Sequence, residues 1–324
     1  MKLATLKSDS PDGALVVVSS DNKRCASASH IAPNMLAAIE NWDAVKGLLT
    51  DLFQALNDGK VSKASSFNPL AARAPLPRSW QWLDGSAFPE HGHLMQKAYN
   101  LPPIQSDKPL MYQGMSDRFY GPSDDVPFTA EDGGIDFEGE FGIIVDAVPM
   151  GTSANDAMAH IKLIVQLNDW SLRNVAVAEM KTGFGWVQGK PACSMAAVAI
   201  TPDELGTSWK NGRIHLPLRV DLNGERFGEA MGHEMDYGFH ELVAHAATSR
   251  DLVAGTIIGS GTVSNKNYAK VGSSCLSERR AIDMITFGEI RTPFMSFGDR
   301  VRMEAVGQNG EPLFGPIDQQ AVKH

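Results

Sequence analysis

Two short apolar runs open the chain, Met1 to Lys7 and Ala14 to Ser20, on either side of Ser10-Pro11-Asp12-Gly13. That pattern predicts two strands around a turn. Downstream, Met35, Leu36, Ile39, Val45, Leu48, Leu49, Leu52, Phe53 and Leu56 recur at three- and four-residue spacing, which predicts a helix ending at Asn57-Asp58-Gly59. Pro69, Pro75 and Pro77 then predict an extended connector. A boundary near residue 75 separates a small N-terminal domain, 1–75, from a larger one, 76–324.

Beyond that boundary the pattern predicts short strands at 133–146, 163–167, 216–222, 256–258, 281–287 and 300–305. It predicts helices at 157–161, behind the N-cap-like Ser153, and at 237–248. No internal repeat or low-complexity tract interrupts the pattern. The expected class is a β-rich α+β protein with a small β-containing N-terminal domain.

Composition narrows the function. The 324 residues include 43% hydrophobic and 21% charged positions, ordinary values for a globular chain. A net charge of −9 argues against a nucleic-acid partner, because binding phosphates needs a basic face. The three cysteines, Cys25, Cys193 and Cys275, are far apart and lack a CxxC spacing, so they read as reduced, buried filler. No signal peptide or membrane-length apolar run is visible, and the expected compartment is the cytoplasm.

The segment Ile135-Asp-Phe-Glu-Gly-Glu-Phe-Gly-Ile143 carries the candidate chemistry. On a strand, Ile135, Phe137, Phe141 and Ile143 share one face with Gly139, while Asp136, Glu138 and Glu140 share the other. Taken alone, such a segment reads as a wet acidic strand face. The run continues into Ile144 and Val145, however, and carboxylates in an apolar setting need partners or a cation. Asp169 follows the apolar run 163–167 directly and is either a site residue or a helix N-cap. Asp84, in Trp80-Gln-Trp-Leu-Asp84, is either a site residue or a turn former. Four carboxylates without a histidine or cysteine cluster suit a hard cation, Mg2+, Ca2+ or Mn2+, rather than zinc.

Several other patterns fail. In His240-Glu-Leu-Val-Ala-His245 the histidines are five apart and point about 140° away from each other on a helix. Gly185 to Lys190 is one residue short of a phosphate loop and is followed by Pro191. Gly259-Ser-Gly leads into no helix that would make a dinucleotide fingerprint.

The ordered set Asp84, His91, Glu138-Gly-Glu140, Asn168-Asp169-Trp170-Ser171-Leu-Arg173, Gly189-Lys190 and Gly261-Thr262 resembles the fumarylacetoacetate hydrolase superfamily over roughly residues 78–300. The resemblance implies a β-sandwich roll holding a divalent metal, in a homodimer. It implies metal-binding roles for Asp84, Glu138, Glu140 and Asp169, with Lys190 and Ser194 beside the metal. It implies a general base at His91, with Glu278 a candidate acidic partner, and an assisting Arg173. Tyr112 and Thr262 match substrate-contacting positions. The implied reaction is hydrolysis of a C–C bond in a 1,3-dicarbonyl acid, with fumarylacetoacetate the leading substrate, in aromatic amino-acid breakdown. Acylpyruvate hydrolysis, β-keto-acid decarboxylation or hydration, and non-catalytic binding of a metal and a dicarboxylate are the alternatives. Ala176 and Met180 depart from the family pattern, where animal-type fumarylacetoacetases carry Gln and Tyr.

Overall fold

In the computed structural model, which describes residues 1–103 and 106–324, the opening runs form β1 (Lys2–Leu6) and β2 (Ala14–Val18). They join β3 (Arg24–Ser27), β4 (Trp82–Gly85), β5 (Met111–Gly114), β6 (Gly139–Val145), β7 (Ile161–Asn168), β8 (Val198–Ile200) and β9 (Ile257–Gly259) in an eleven-stranded sheet. Across that sheet the order is β3-β2-β1-β8-β7-β6-β9-β4-β5, with the two-residue strand Ser65–Ser66 beyond β3 and the two-residue strand Ser194–Met195 paired with β7 off that path. All pairs are antiparallel except β9 with β4.

Alternation explains how the sheet is covered. Leu3, Leu15, Val17, Ile144, Leu163 and Val165 share a core with Met35, Ile39, Trp42 and Leu49 of helices α1 (Met35–Glu40) and α2 (Trp42–Asn57). Their strand neighbours Ala4, Val16, Ile143 and Ile164 belong to a second core, with Leu218, Val220, Val301 and Met303. That core is closed by a five-stranded sheet ordered Glu225–Met231, Pro217–Leu222, Arg300–Glu304, Ile317–Lys323 and Val126–Phe128. Period-two burial on both faces produces a β-rich sandwich with helices at its margins. Among the described residues, no helix is long and apolar enough to cross a membrane.

Three expectations need correction. Residues 281–287 are helical, as the end of Leu276–Phe287. Ile282, Ile285, Thr286 and Phe287 give the stretch a strand-like composition. The Cys275 thiol accepts from the Glu278 amide at 3.4 Å, and Gly288 stops the helix in the left-handed conformation. Those two end signals outweigh composition. The predicted strand over 133–146 is broken: Ile135–Asp136 pairs with Ser171–Leu172, and β6 begins only at Gly139. The helix placed at 157–161 lies earlier, as one turn at Ala154–Ala157 and a 3-10 turn at Met158–His160, and Ile161 already belongs to β7. Helix Phe239–Ala246 falls within its predicted range. Two helices that the pattern did not predict, α3 (Pro89–Tyr99) and α4 (Arg173–Met180), flank the site. Numbered with them, Phe239–Ala246 is α5 and Leu276–Phe287 is α6.

Candidate metal centre and active site

Strand pairing delivers the four carboxylates to one point. Gly139 of β6 lies opposite Asn168 of β7, so Glu138 and Asp169 emerge together at that end. The Asp169 amide donates to the Glu138 carbonyl at 3.0 Å, and the Glu138 amide donates to the Asn168 side chain at 3.0 Å. Across β9, Asp84 is reached through Gly259, its register partner. Asp84 therefore sits within a strand rather than in the turn that its Asp-Gly sequence permits. Asp169 is not an N-cap either, since α4 starts only at Arg173. One oxygen from each of Asp84, Glu138, Glu140 and Asp169 lies within 4.8 Å of the others, and all four residues are buried.

Positive charge compensates part of this cluster. The Lys190 ammonium lies 2.5 Å from Asp169 Oδ2 and 3.1 Å from Glu138 Oε1. Arg173 pairs through Nη2 with Glu138 at 2.5 Å and through Nε with Asp136 at 2.7 Å. Burial opposes ionisation of Glu138, yet Arg173 and Lys190 hold its carboxyl well below the usual range. Burial likewise works against the Lys190 charge, and Asp169 and Glu138 more than offset it, so the amine stays protonated. Burial pushes Asp84 and Glu140 well up, and neighbouring carboxylates add to the push.

The donor set fits a divalent cation. Both Glu140 oxygens are buried without a hydrogen-bond partner, an expensive state for a carboxyl group. The four carboxyls also outnumber the cations beside them, Lys190 and an Arg173 shared with Asp136, so a divalent ion would offset negative charge there. All-oxygen donors select a hard ion.

Other expected residues fall into place around this centre. Tyr112, opposite Asp84 on β5, donates its hydroxyl to Asp169 Oδ2 at 2.7 Å. Thr262 donates to Glu138 Oε2 at 2.9 Å. His91, on the first turn of α3, places Nδ1 2.9 Å from Glu278 Oε1 on the first turn of α6. His93 instead pairs loosely with Glu90 at 3.6 Å on the exposed side of α3. The Ser194 hydroxyl accepts from the Trp170 indole at 3.0 Å. Lys190 is a charged neighbour of the site, because a protonated amine has no lone pair for a metal.

Sequence reasoning missed four contributors. Asp136 accepts from the Leu276 and Ser277 amides at 2.7 and 3.0 Å, so the α6 N-terminus rests on the same carboxylate that holds Arg173. Ser171 donates to Glu138 at 3.1 Å. The Cys193 thiol donates to Asp169 Oδ1 at 2.9 Å, so this cysteine is more than filler. Trp186 packs edge-on to Tyr112, with ring centroids 4.7 Å apart. The loop carrying it is pinned by Glu179, which accepts from the amides of Val187, Gln188 and Gly189. The same loop packs onto Ala176, whose carbonyl accepts from the Trp186 indole at 3.2 Å. A Cβ at Gly189 would lie 2.8 Å from the Ala176 backbone, and Met180 points largely into solvent. Only the Asp136 signal, a third carboxylate in phase with Glu138 and Glu140, was present in the local sequence.

The family model described as "Fumarylacetoacetate (FAA) hydrolase C-terminal" matches residues 81–320, and "Fumarylacetoacetase N-terminal domain 2" matches residues 1–78. A 2,4-didehydro-3-deoxy-L-rhamnonate hydrolase from Sphingomonas sp. (strain SKA58) is 24% identical over 163 residues, 49% of this chain. The match spans 54% of that relative, about half its length. The maleylpyruvate hydrolase of Sphingobium sp. SYK-6, solved with manganese(II) ion and pyruvate, superposes with a TM-score of 0.66 at 16% identity. That superposition covers 100% of this chain and 99% of the other. A 5-carboxymethyl-2-hydroxymuconate delta-isomerase from Mycobacterium smegmatis gives 0.61 at 17% identity, with the same coverage.

Proposed function

The chain belongs to the fumarylacetoacetate hydrolase family, and from that premise we propose that it hydrolyses a C–C bond in a 2,4-dioxo acid of the acylpyruvate type. The observation that carries the reading is the His91–Glu278 pair set beside a buried four-carboxylate cluster. A protein that only bound a metal and a dicarboxylate would have no use for that pair. Acylpyruvates are favoured over fumarylacetoacetate because Ala176 and Met180 supply no polar side chain where the resemblance places Gln and Tyr. The maleylpyruvate hydrolase structure, with its manganese ion and pyruvate, points the same way. Asp84, Glu138, Glu140 and Asp169 would hold the ion, Mn2+ or Mg2+, as a homodimer member or alone.

A divalent cation held by these four carboxylates would supply Lewis acidity to a 1,3-dicarbonyl substrate. The protein does the proton chemistry. Glu278 accepts from His91 Nδ1, which leaves Nε2 free to take a proton from water. The water oxygen adds to the carbonyl carbon, the bond to the neighbouring carbon breaks, and that carbon leaves as an enolate. His91 returns the proton to it. Lys190 and Arg173 keep Glu138 ionised and oppose the build-up of negative charge. Tyr112 and Trp186 form an aromatic wall that keeps bulk water away.

The test is a Mn2+-supplemented panel of 2,4-dioxo acids, fumarylacetoacetate included, followed by loss of enol absorbance. Wild type should cleave at least one compound, and His91→Ala should be slower by roughly 10²–10⁴-fold. Equal, slow decay in both proteins would reject hydrolysis. A product of unchanged mass would indicate isomerisation instead.

A further inference from the structure

A second group of metal-ligating atoms lies beside the carboxylate centre, and its chemistry is different. His91 on α3, with Cys275 and Glu278 at the start of α6, bring a ring nitrogen, a thiol sulfur and a carboxylate oxygen within 4.8 Å of one another. His91 Nδ1 is 2.9 Å from Glu278 Oε1, and Cys275 Sγ accepts from the Glu278 amide at 3.4 Å. Cys275 is unpaired by any disulfide and fully buried, while His91 is 20% exposed on that residue's side chain and gives the group its opening. The nearby Arg173 guanidinium is already engaged by Asp136 and Glu138.

Sulfur, nitrogen and one carboxylate oxygen are the donors of a tetrahedral zinc site with one open position for water. Zinc bonds of about 2.0–2.3 Å put neighbouring donors roughly 3.3–3.8 Å apart, so side-chain shifts of about 1 Å suffice. The four grouped ligands of the other centre are all carboxylate oxygens, with the Cys193 thiol and the Lys190 ammonium donating to Asp169, and such a set prefers harder ions. Two adjacent sites therefore sort cations by softness.

We propose that His91, Cys275 and Glu278 form an inhibitory site for a thiophilic divalent cation, Zn2+, distinct from the four-carboxylate centre. Binding converts the Cys275 thiol to a thiolate, with its proton released to solvent, and no redox change occurs. The ion takes His91 Nδ1 and Glu278 together, so the Nδ1 proton moves to Nε2, which then has no lone pair to take a proton from water. Zinc then inhibits without displacing the ion of the carboxylate centre. The inhibition rests on the proposed hydrolysis, whereas the binding does not.

The probe is Co2+ for spectroscopy and Zn2+ for inhibition, on the full chain preloaded with Mg2+. Co2+ should produce a near-ultraviolet sulfur-to-metal charge-transfer band in wild type. Cys275→Ser, which keeps a side-chain cap for α6, should lose that band and raise the Zn2+ concentration for half-inhibition by roughly tenfold or more. Cys193→Ser should keep the band. His91→Ala should weaken Co2+ binding at the same band. A band that survives in Cys275→Ser or vanishes in Cys193→Ser overturns the site, as does unchanged zinc inhibition in Cys275→Ser. If no dioxo acid is cleaved at all, the proposed function fails while the Co2+ spectrum still decides the site.

Discussion

Asp136→Asn tests whether one buried carboxylate holds the two halves of the site in register. Asp136 is completely buried and accepts from Leu276, Ser277 and Arg173. The amide keeps one acceptor oxygen but turns an NH2 group towards the donors. Burial already works against the Asp136 charge, with Arg173 opposing that effect. The cost of the variant therefore comes mainly from orphaned donors. Breaking a buried ion pair by removing one partner costs about 3–5 kcal/mol. The lost helix N-terminal charge is partly included in that range. An unfolding entropy of about 2.1 cal/mol/K per residue gives roughly 0.7 kcal/mol/K for the whole chain, so about 4 kcal/mol lowers Tm by roughly 6 °C. Calorimetry of metal-free protein reads this directly. Activity should fall as well, since Glu278 loses its seat while the carboxylate centre keeps its ligands. A Tm within about 1 °C of wild type would refute the role assigned to Asp136.

Two further outcomes follow from the carboxylate centre. Asp84 and Glu140 have raised pKa values, so the metal-free protein holds protons there above the usual carboxylate range. A metal must displace those protons, so affinity should weaken as pH falls, and calorimetry in buffers of different ionisation enthalpy should show proton release. The sign for stability is opposite without metal: a raised folded pKa means that stability declines as pH rises from the unfolded carboxyl value through the folded one. Zero proton release would contradict both statements. Gly259→Ala places a Cβ 2.4 Å from Asp84 Oδ1 and 2.4 Å from the Trp82 ring. It should weaken Mn2+ binding by roughly 10–100-fold in an electron paramagnetic resonance titration, and wild-type affinity would show that Asp84 is not fixed by that contact.

Much of the site was legible because strands report their geometry locally. An apolar run ending in Asp169, and Glu138 and Glu140 in phase on another, point to one cleft before any fold is known. Contacts that depend on a partner element were not legible. Asp136 shares that phase but is claimed by the end of α6, which strand alternation cannot reveal. The α6 segment itself misleads, since Ile282, Ile285, Thr286 and Phe287 favour a strand until Cys275 and Gly288 are recognised as its ends. Cys193 and Cys275 looked like filler because their spacing carries no motif. Only tertiary structure sets one against Asp169 and the other against His91. The overall fold class was legible because period-two burial recurs in most of the strands.

The N-terminal strands have a consequence for recombination between relatives. Residues 1–78 and 81–320 match separate family models, yet β1 pairs with β8 from Lys2 opposite Ile200 to Ala4 opposite Val198. The seam between the two segments is thus a ladder of backbone hydrogen bonds inside one sheet. Deleting the first segment would leave the β8 edge bare, with unpaired amides and carbonyls beside Val198 and Ile200, a template for self-association. A transplanted N-terminal segment would have to match that edge residue for residue, because a one-position slip turns Leu3 and Ala4 to the wrong faces.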